Sequence, residues 1–283
     1  MKYELKTNQI NIRDPFVFPY EGKYYLYGTR VGIPNGFDVY ISEDLENWTS
    51  AKPVFEYVEG SWAETDFWAP EVYLYHGRFY MFASFKGSKR HRGTAILVSS
   101  RPDGLFVEHS DGAVTPTEWE CLDGTLYVSE NGTPYMVFCH EWQQIGNGTV
   151  CSVELSRDLK CAVSEPRVLW SAGDAIWAHN LSWGQHDVNY VTDGPYLISK
   201  DHKLIALWSS FNENGYVEAI TRSDNGDVTG SWTIDETLLY DGDGGHGMIF
   251  ETFDGQCKFV YHSPNTYYDE RPCFKDIRME DLF

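Results

Sequence analysis

The sequence predicts an all-β fold, a single five-bladed β-propeller occupying residues 1–283, and two observations carry that expectation. Short runs of β-branched and aromatic residues recur along the whole chain between Gly, Asn, Asp and Pro, with no stretch of helical periodicity and capping. One hairpin grammar also recurs five times: a polar residue, a Pro or Gly, an apolar strand, a turn, and a second aromatic-rich strand. The repeats read R-D-P-F-V-F at Asp14, W-A-P-E-V-Y at Ala69, L-D-G-T-L-Y at Asp123, T-D-G-P-Y-L at Asp193 and G-H-G-M-I-F at His246. Their spacings of 55, 54, 70 and 53 residues match blades of about four strands each. A β-sandwich also places strands at short intervals, but it does not require one motif five times.

Within each unit the strands can be placed in order. Second strands read K-Y-Y-L-Y-G-T from Lys23, R-F-Y-M-F-A-S from Arg78, P-Y-M-V-F-C from Pro134 and K-L-I-A-L-W-S from Lys203. Turn pairs precede several hairpin partners: Glu21-Gly22, His76-Gly77, Asn131-Gly132 and Asp254-Gly255. The long third interval implies an insertion around Ser171 to Val188, whose Trp, His and Asn content suits a pocket-lining loop. The fifth repeat is short, and Lys2 to Leu5 are available as an added strand for ring closure.

Composition narrows the function. A chain this long can bury about three-quarters of its unfolded surface. With 42 acidic against 22 basic residues, the formal charge of -20 repels phosphate backbones and argues against a nucleic-acid partner. No apolar run approaches the roughly 18 residues of a membrane span, and the first ten residues contain no signal-peptide core, so a cytoplasmic location is expected. Six scattered cysteines read as buried thiols in a reducing compartment. The 10 Trp, 19 Tyr and 16 Phe suggest a β-rich core or flat platforms for sugar rings.

A propeller lines its central channel with the first strand of each blade. The residues opening the repeats, Asp14, Ala69 (with Glu71 just behind), Asp123, Asp193 and His246, therefore converge on one axial site. Gathering like charges there costs several kcal/mol, by the order of magnitude for buried ions, and such clusters are kept for chemistry or for a cation. D-G and D-P are also ordinary turn pairs. Three aspartates in register favour a shared site.

These motifs resemble glycoside hydrolase family 43, the five-bladed propellers that cleave arabinose, xylose and related sugars. The resemblance runs from Asn11 to His262 and includes I-R-D-P-F-V-F, D-V-Y-I-S-E-D-L-E-N-W (Asp38 to Trp48), W-A-P-E-V-Y, T-R-S-D-N-G-D-V-T-G-S-W, and G-G-H-G-M-I-F followed by V-Y-H. It implies that Asp14 is the general base, that Asp123 raises and orients the acid, and that Asp193 is the general acid. The family usually has Glu before Gly-Pro; here Asp193 is one methylene shorter, and Glu141 in C-H-E-W is the alternative acid. The implied reaction is inverting hydrolysis with carboxyl groups about 6.5–9.5 Å apart; exo-action on oligosaccharides is expected because a chain without a visible signal peptide would meet imported oligosaccharides. No cofactor is required. His246 reads either as a contact to an axial calcium or as a hydrogen-bonded core histidine, and as a substrate contact in its own right.

Candidate sugar contacts are Phe37, Phe67, Trp68, Trp142 and Trp177, with Glu71 for sugar hydroxyls; packing between blades is the competing role for every aromatic. Three other functions remain open. A retaining fructosidase-like propeller uses R-D-P and E-C pairs, which occur at Arg13-Asp14 and Glu120-Cys121 in a different order. A phosphorylase-like propeller needs a cationic cluster near the acid, and none surrounds Asp193. A non-catalytic sugar-binding propeller accounts for the shortened acid.

Overall fold

The computed structural model describes residues 2–32 and 35–283. Five antiparallel sheets follow one another along the chain. Blade one holds β1 (Leu5–Lys6), β2 (Ile12–Tyr20), β3 (Lys23–Arg30), β4 (Gly36–Ser42), β5 (Asn47–Trp48) and β6 (Lys52–Glu56). Blade two runs β7 (Thr65–Tyr75), β8 (Arg78–Gly87), β9 (Arg90–Ser99) and β10 (Val107–Ala113). Blade three comprises β11 (Cys121–Val128), β12 (Pro134–His140), β13 (Thr149–Glu154) and β14 (Arg167–Ser171); blade four comprises β15 (Asp193–Lys200), β16 (Lys203–Asn212), β17 (Gly215–Ser223) and β18 (Trp232–Tyr240). Blade five has three strands, β19 (Gly245–Glu251), β20 (Cys257–Ser263) and β21 (Arg271–Ile277). Among the described residues no helix is long and apolar enough to cross a membrane.

The turn pairs behave as their residues dictate. Glu21-Gly22 and His76-Gly77 both take positive φ at two successive positions, the backbone of a tight hairpin turn. Asp201-His202 does the same without a glycine. The expected insertion occupies the stretch between β14 and β15, tied to blade three by Gly148 N–H to Tyr190 O and Tyr190 N–H to Gly146 O.

The core lies between blades. One cluster joins blades one, two and five around Leu26, Phe37, Trp48, Phe67, Phe85 and Val260. Others fill the boundaries of blades two and three (Phe82, Ile96, Phe138), three and four (Trp170, Trp208), and four and five (Ile205, Phe259). Most of the aromatic content is consumed here. The cysteines are all free; Cys121, Cys139 and Cys151 are buried, whereas Cys161 is exposed and Cys257 and Cys273 are half-buried, which corrects the expectation of six buried thiols.

Each inner strand is bulged at the same place. Strand pairing shifts between Arg13 and Phe16, Trp68 and Glu71, Leu122 and Thr125, Asp193 and Tyr196, and Gly245 and Met248. The first bulged residue is left-handed in every blade: Asp14 (φ 51°), Ala69 (47°), Asp123 (55°), Gly194 (52°) and His246 (49°). Bulges of this kind re-aim a side chain, at a cost in backbone strain that functional sites commonly carry. A Pro or Gly follows each: Pro15, Pro70, Gly124, Pro195 and Gly247. Counting by register, the residue equivalent to Asp14 and Asp123 in blade four is Gly194, not Asp193; Asp193 is equivalent to Arg13 and Trp68. This corrects the expected register by one residue, because D-G-P resembles D-P and D-G equally in sequence.

The ring closes without an added strand. Leu5 and Lys6 do form a strand, but they pair with Trp48 and Asn47 inside blade one rather than with blade five. Side chains of each blade instead reach the backbone of the next. Thr29 Oγ1 accepts the Ala69 N–H (2.8 Å), Ser84 Oγ the Asp123 N–H (2.8 Å), and Ser209 Oγ the His246 N–H (2.7 Å). His262 Nδ1 accepts the Asp14 N–H at 3.2 Å, so the cycle returns to blade one. The equivalent residue in blade three is Cys139, a poor acceptor, and there Asp123 Oδ2 takes the Gly194 N–H at 3.0 Å. Asn11 Nδ2 to Glu270 O (2.7 Å) and Arg13 Nη1 to Glu270 Oε1 (2.9 Å) complete the seam.

Candidate active site

A cavity of about 280 Å³ opens at the end of the channel where the bulges lie, lined by Arg13, Asp14, Thr29, Arg30, Trp68, Leu122, Asp123, Asp193, His246 and Tyr267. A larger cavity of about 780 Å³ beside Trp62, Arg90 and Glu118 holds none of the three aspartates, so the chemistry is assigned to the smaller one.

Asp14 uses both carboxylate oxygens. Thr29 Oγ1 donates to Oδ2 at 2.6 Å, and His246 Nδ1 lies 3.1 Å from Oδ1. Burial alone would raise its pKa, but the His246 imidazole, the Arg13 guanidinium and the Thr29 hydrogen bond outweigh it and hold the carboxyl below its ordinary value. His262 is fully buried, and burial lowers its pKa to about 3. Its Nδ1 therefore accepts from Asp14 N–H, while Nε2 faces Asn265 Oδ1 at 3.1 Å.

Asp123 and Asp193 form the opposite pair. Both are pushed above the carboxylate range, first by burial and then by like charge: Asp123 by Asp14, and Asp193 by Asp123. Tyr216 OH donates to Asp193 Oδ2 at 3.0 Å. One ionised carboxylate thus faces two that retain protons more tightly, a division suited to separate base and acid roles.

Trp68 presents a wall of the cavity, and the Arg92 guanidinium packs on its ring at 4.4 Å from the centroid. Arg92 is held in turn by Asp66 (Nε to Oδ2, 2.9 Å) and by Glu141 (Nη1 to Oε2, 2.6 Å). Glu141 therefore does not line the cavity: it is the anchor of an arginine behind the tryptophan.

Of the residues selected from sequence, the structure brings together Asp14, Asp123, Asp193, Trp68 and His246. The others lie elsewhere. Phe37 is fully buried with Phe55, Phe67 and Phe85 between blades, leaving no face for a sugar, and Phe67 shares that cluster. Trp142 is buried against Leu181 and Val191, edge-on to Trp183. Trp177 packs on Trp208 and donates Nε1–H to Asp235 O, so it lies against blade four and not in the cavity lining. Glu71 is buried, bonded by the Tyr73 hydroxyl, and pushed up to about 8 by burial, away from the cavity wall. Among the described residues no group of three or more His, Cys, Asp or Glu side chains is arranged to hold a metal ion.

Two cavity residues carry no signal in the sequence: Arg30 arrives from the end of a second strand and Tyr267 from a loop. Behind the wall, Tyr216 and the histidine of V-Y-H, His262, reach the aspartates through strand register.

The profile of glycosyl hydrolases family 43 matches residues 7–281. An endo-arabinase of Bacteroides thetaiotaomicron is similar in structure, with a TM-score of 0.93, 34% identity and coverage of 99% of both chains. In sequence, the chain is 22% identical over 148 residues to the extracellular endo-alpha-(1->5)-L-arabinanase 1 of Bacillus subtilis, covering 47% of this chain and 45% of that protein. It is 23% identical over 152 residues to the extracellular exo-alpha-(1->5)-L-arabinofuranosidase ArbA of Cellvibrio japonicus, covering 48% of this chain and 42% of that one. These alignments span less than half the length of either relative.

Proposed function

The chain belongs to glycosyl hydrolase family 43, and from that premise we propose that it is an inverting glycosidase of α-L-arabinofuranosyl linkages. The observation carrying this reading is the placement of Asp14, Asp123 and Asp193 around one cavity with opposed pKa directions. Asp14 takes a proton from water as the water oxygen bonds to the anomeric carbon. The glycosidic carbon–oxygen bond breaks, and Asp193 delivers its proton to the leaving oxygen. Asp123 repels the charge that Asp193 would acquire and keeps it protonated until then. Paired groups of this kind contribute about 10²–10⁴-fold each. Trp68 supplies the apolar wall against the sugar ring.

Arabinofuranoside is chosen among family substrates because the 34%-identical structural neighbour and both sequence relatives bear arabinan or arabinofuranoside names. Exo-cleavage suits a cavity of about 280 Å³; the name of the structural neighbour favours the endo alternative. A panel of aryl arabinofuranoside, xyloside and galactofuranoside tests the sugar, with hydrolysis of the arabinofuranoside expected. Binding without hydrolysis across the panel would overturn the enzymatic reading. Proton NMR of the first-formed product should show the inverted anomer; retention would return Asp14 to a nucleophile's role. On linear arabinan, release of arabinose alone supports exo action, and a ladder of oligomers establishes endo action.

A further inference from the structure

Tyr216 lies at the start of β17, in the third strand of blade four, 1% exposed and outside the cavity wall. Its hydroxyl donates to Asp193 Oδ2 at 3.0 Å, and its ring stacks on the His262 imidazole at 5.6 Å with an interplanar angle of 18°. The same imidazole holds the Asp14 backbone N–H. One aromatic pair thus spans the two halves of the proposed machinery. We propose that Tyr216 is the positioning residue for the acid, fixing which oxygen of Asp193 carries the transferable proton and compensating for its short side chain.

Three structural features support this, given the roles proposed above. Asp193 sits just before the bulge, and the peptide that follows it is anchored by the Gly194 N–H bond to Asp123 Oδ2, whereas its carboxyl group is held by the Tyr216 hydroxyl. A phenol donating to Oδ2 opposes rotation of the carboxyl group and leaves Oδ1 as the oxygen that bears the proton. The phenol is also a constant donor, because burial and the Asp193 charge hold its own proton far above neutral pH. Donation to a carboxylate stabilises the ionised form. Tyr216 therefore opposes the rise that burial and Asp123 impose on Asp193, keeping the acid strong enough to release its proton. The packing on His262 and Phe211, at 5.0 Å between centroids, sets the phenol's position independently of substrate.

The test is Tyr216→Phe, which removes the hydroxyl and keeps the stacked ring. Wild-type hydrolysis of a 4-nitrophenyl arabinofuranoside is measured first; its absence would sink the proposed function and not this inference. In an active enzyme, the variant is expected to lose roughly tenfold or more in kcat on an unactivated arabinobioside, the loss of one hydrogen bond to a charged group. On the nitrophenyl substrate, whose leaving group needs little protonation, the loss should be small. The alkaline limb of kcat/KM should move to higher pH, since the lost donor favoured the ionised acid. Equal losses on both substrates with an unmoved pH profile would overturn the proposal and leave Tyr216 a packing residue.

Discussion

Each Asp14 oxygen has one partner and acceptor capacity left over: Oδ1 faces His246 and Oδ2 accepts from Thr29. Replacing it with Asn keeps the size and the Thr29 contact but removes the charge that takes a proton from water. Asp14→Asn should lose at least about 10²-fold in turnover, while calorimetry still detects sugar binding; wild-type rates would exclude it as the base. The two acid candidates separate in the same way. Asp193→Asn should depress hydrolysis of unactivated substrates far more than of nitrophenyl ones. Glu141→Gln should instead raise KM, because it loosens Arg92 behind Trp68. At this scale the sequence was legible where a side chain sits in the repeat. Asp14, Asp123, Trp68 and His246 could be placed by counting, and Asp193 could be found though misaligned by one position. Tyr216 could not be found, and His262 was visible only as the last residue of V-Y-H, because both enter from neighbouring strands whose register only the folded sheet defines.

At the level of the strand, one local device builds the whole site: a two-residue bulge whose first member is left-handed. Blade four shows its steric limit. A Cβ on Gly194 would lie 2.5 Å from His246 Cδ2 at a φ of 52°, so Gly194→Ala should cost about 1–3 kcal/mol. Denaturant melts measure that cost, and activity should fall with it because His246 is displaced from Asp14. Unchanged stability would contradict the contact. Blades and hairpin turns were readable because strand alternation and turn pairs are local properties. The aromatic assignments failed for a reason of equal simplicity: Phe37 and Trp68 both belong to strands of similar composition, and only three-dimensional packing decides which faces a neighbouring blade and which faces the cavity.

Across the whole molecule, the formal charge of -20 is mostly solvated, but a few carboxyl groups are buried and kept neutral. Glu71 and Glu218 are buried, and burial pushes each up to about 8 from an ordinary 4.5. Between these values the folded chain holds protons that the unfolded chain has released. Their contribution is therefore complete below about 4.5 and is lost as pH rises toward 8, by up to about 1.4 kcal/mol per pH unit for each group. Denaturation midpoints should fall between pH 5 and pH 8, and Glu218→Gln should flatten that fall; an unaltered slope would show that Glu218 is not protonated in the folded state. The seam between blades five and one has one more consequence. It is fastened in part by His262 gripping the backbone of Asp14 itself. A molecule whose ring has parted loses this hold on the residue proposed as the base. On the proposed roles, activity during unfolding should be lost together with ring closure, as read by paired activity and fluorescence measurements.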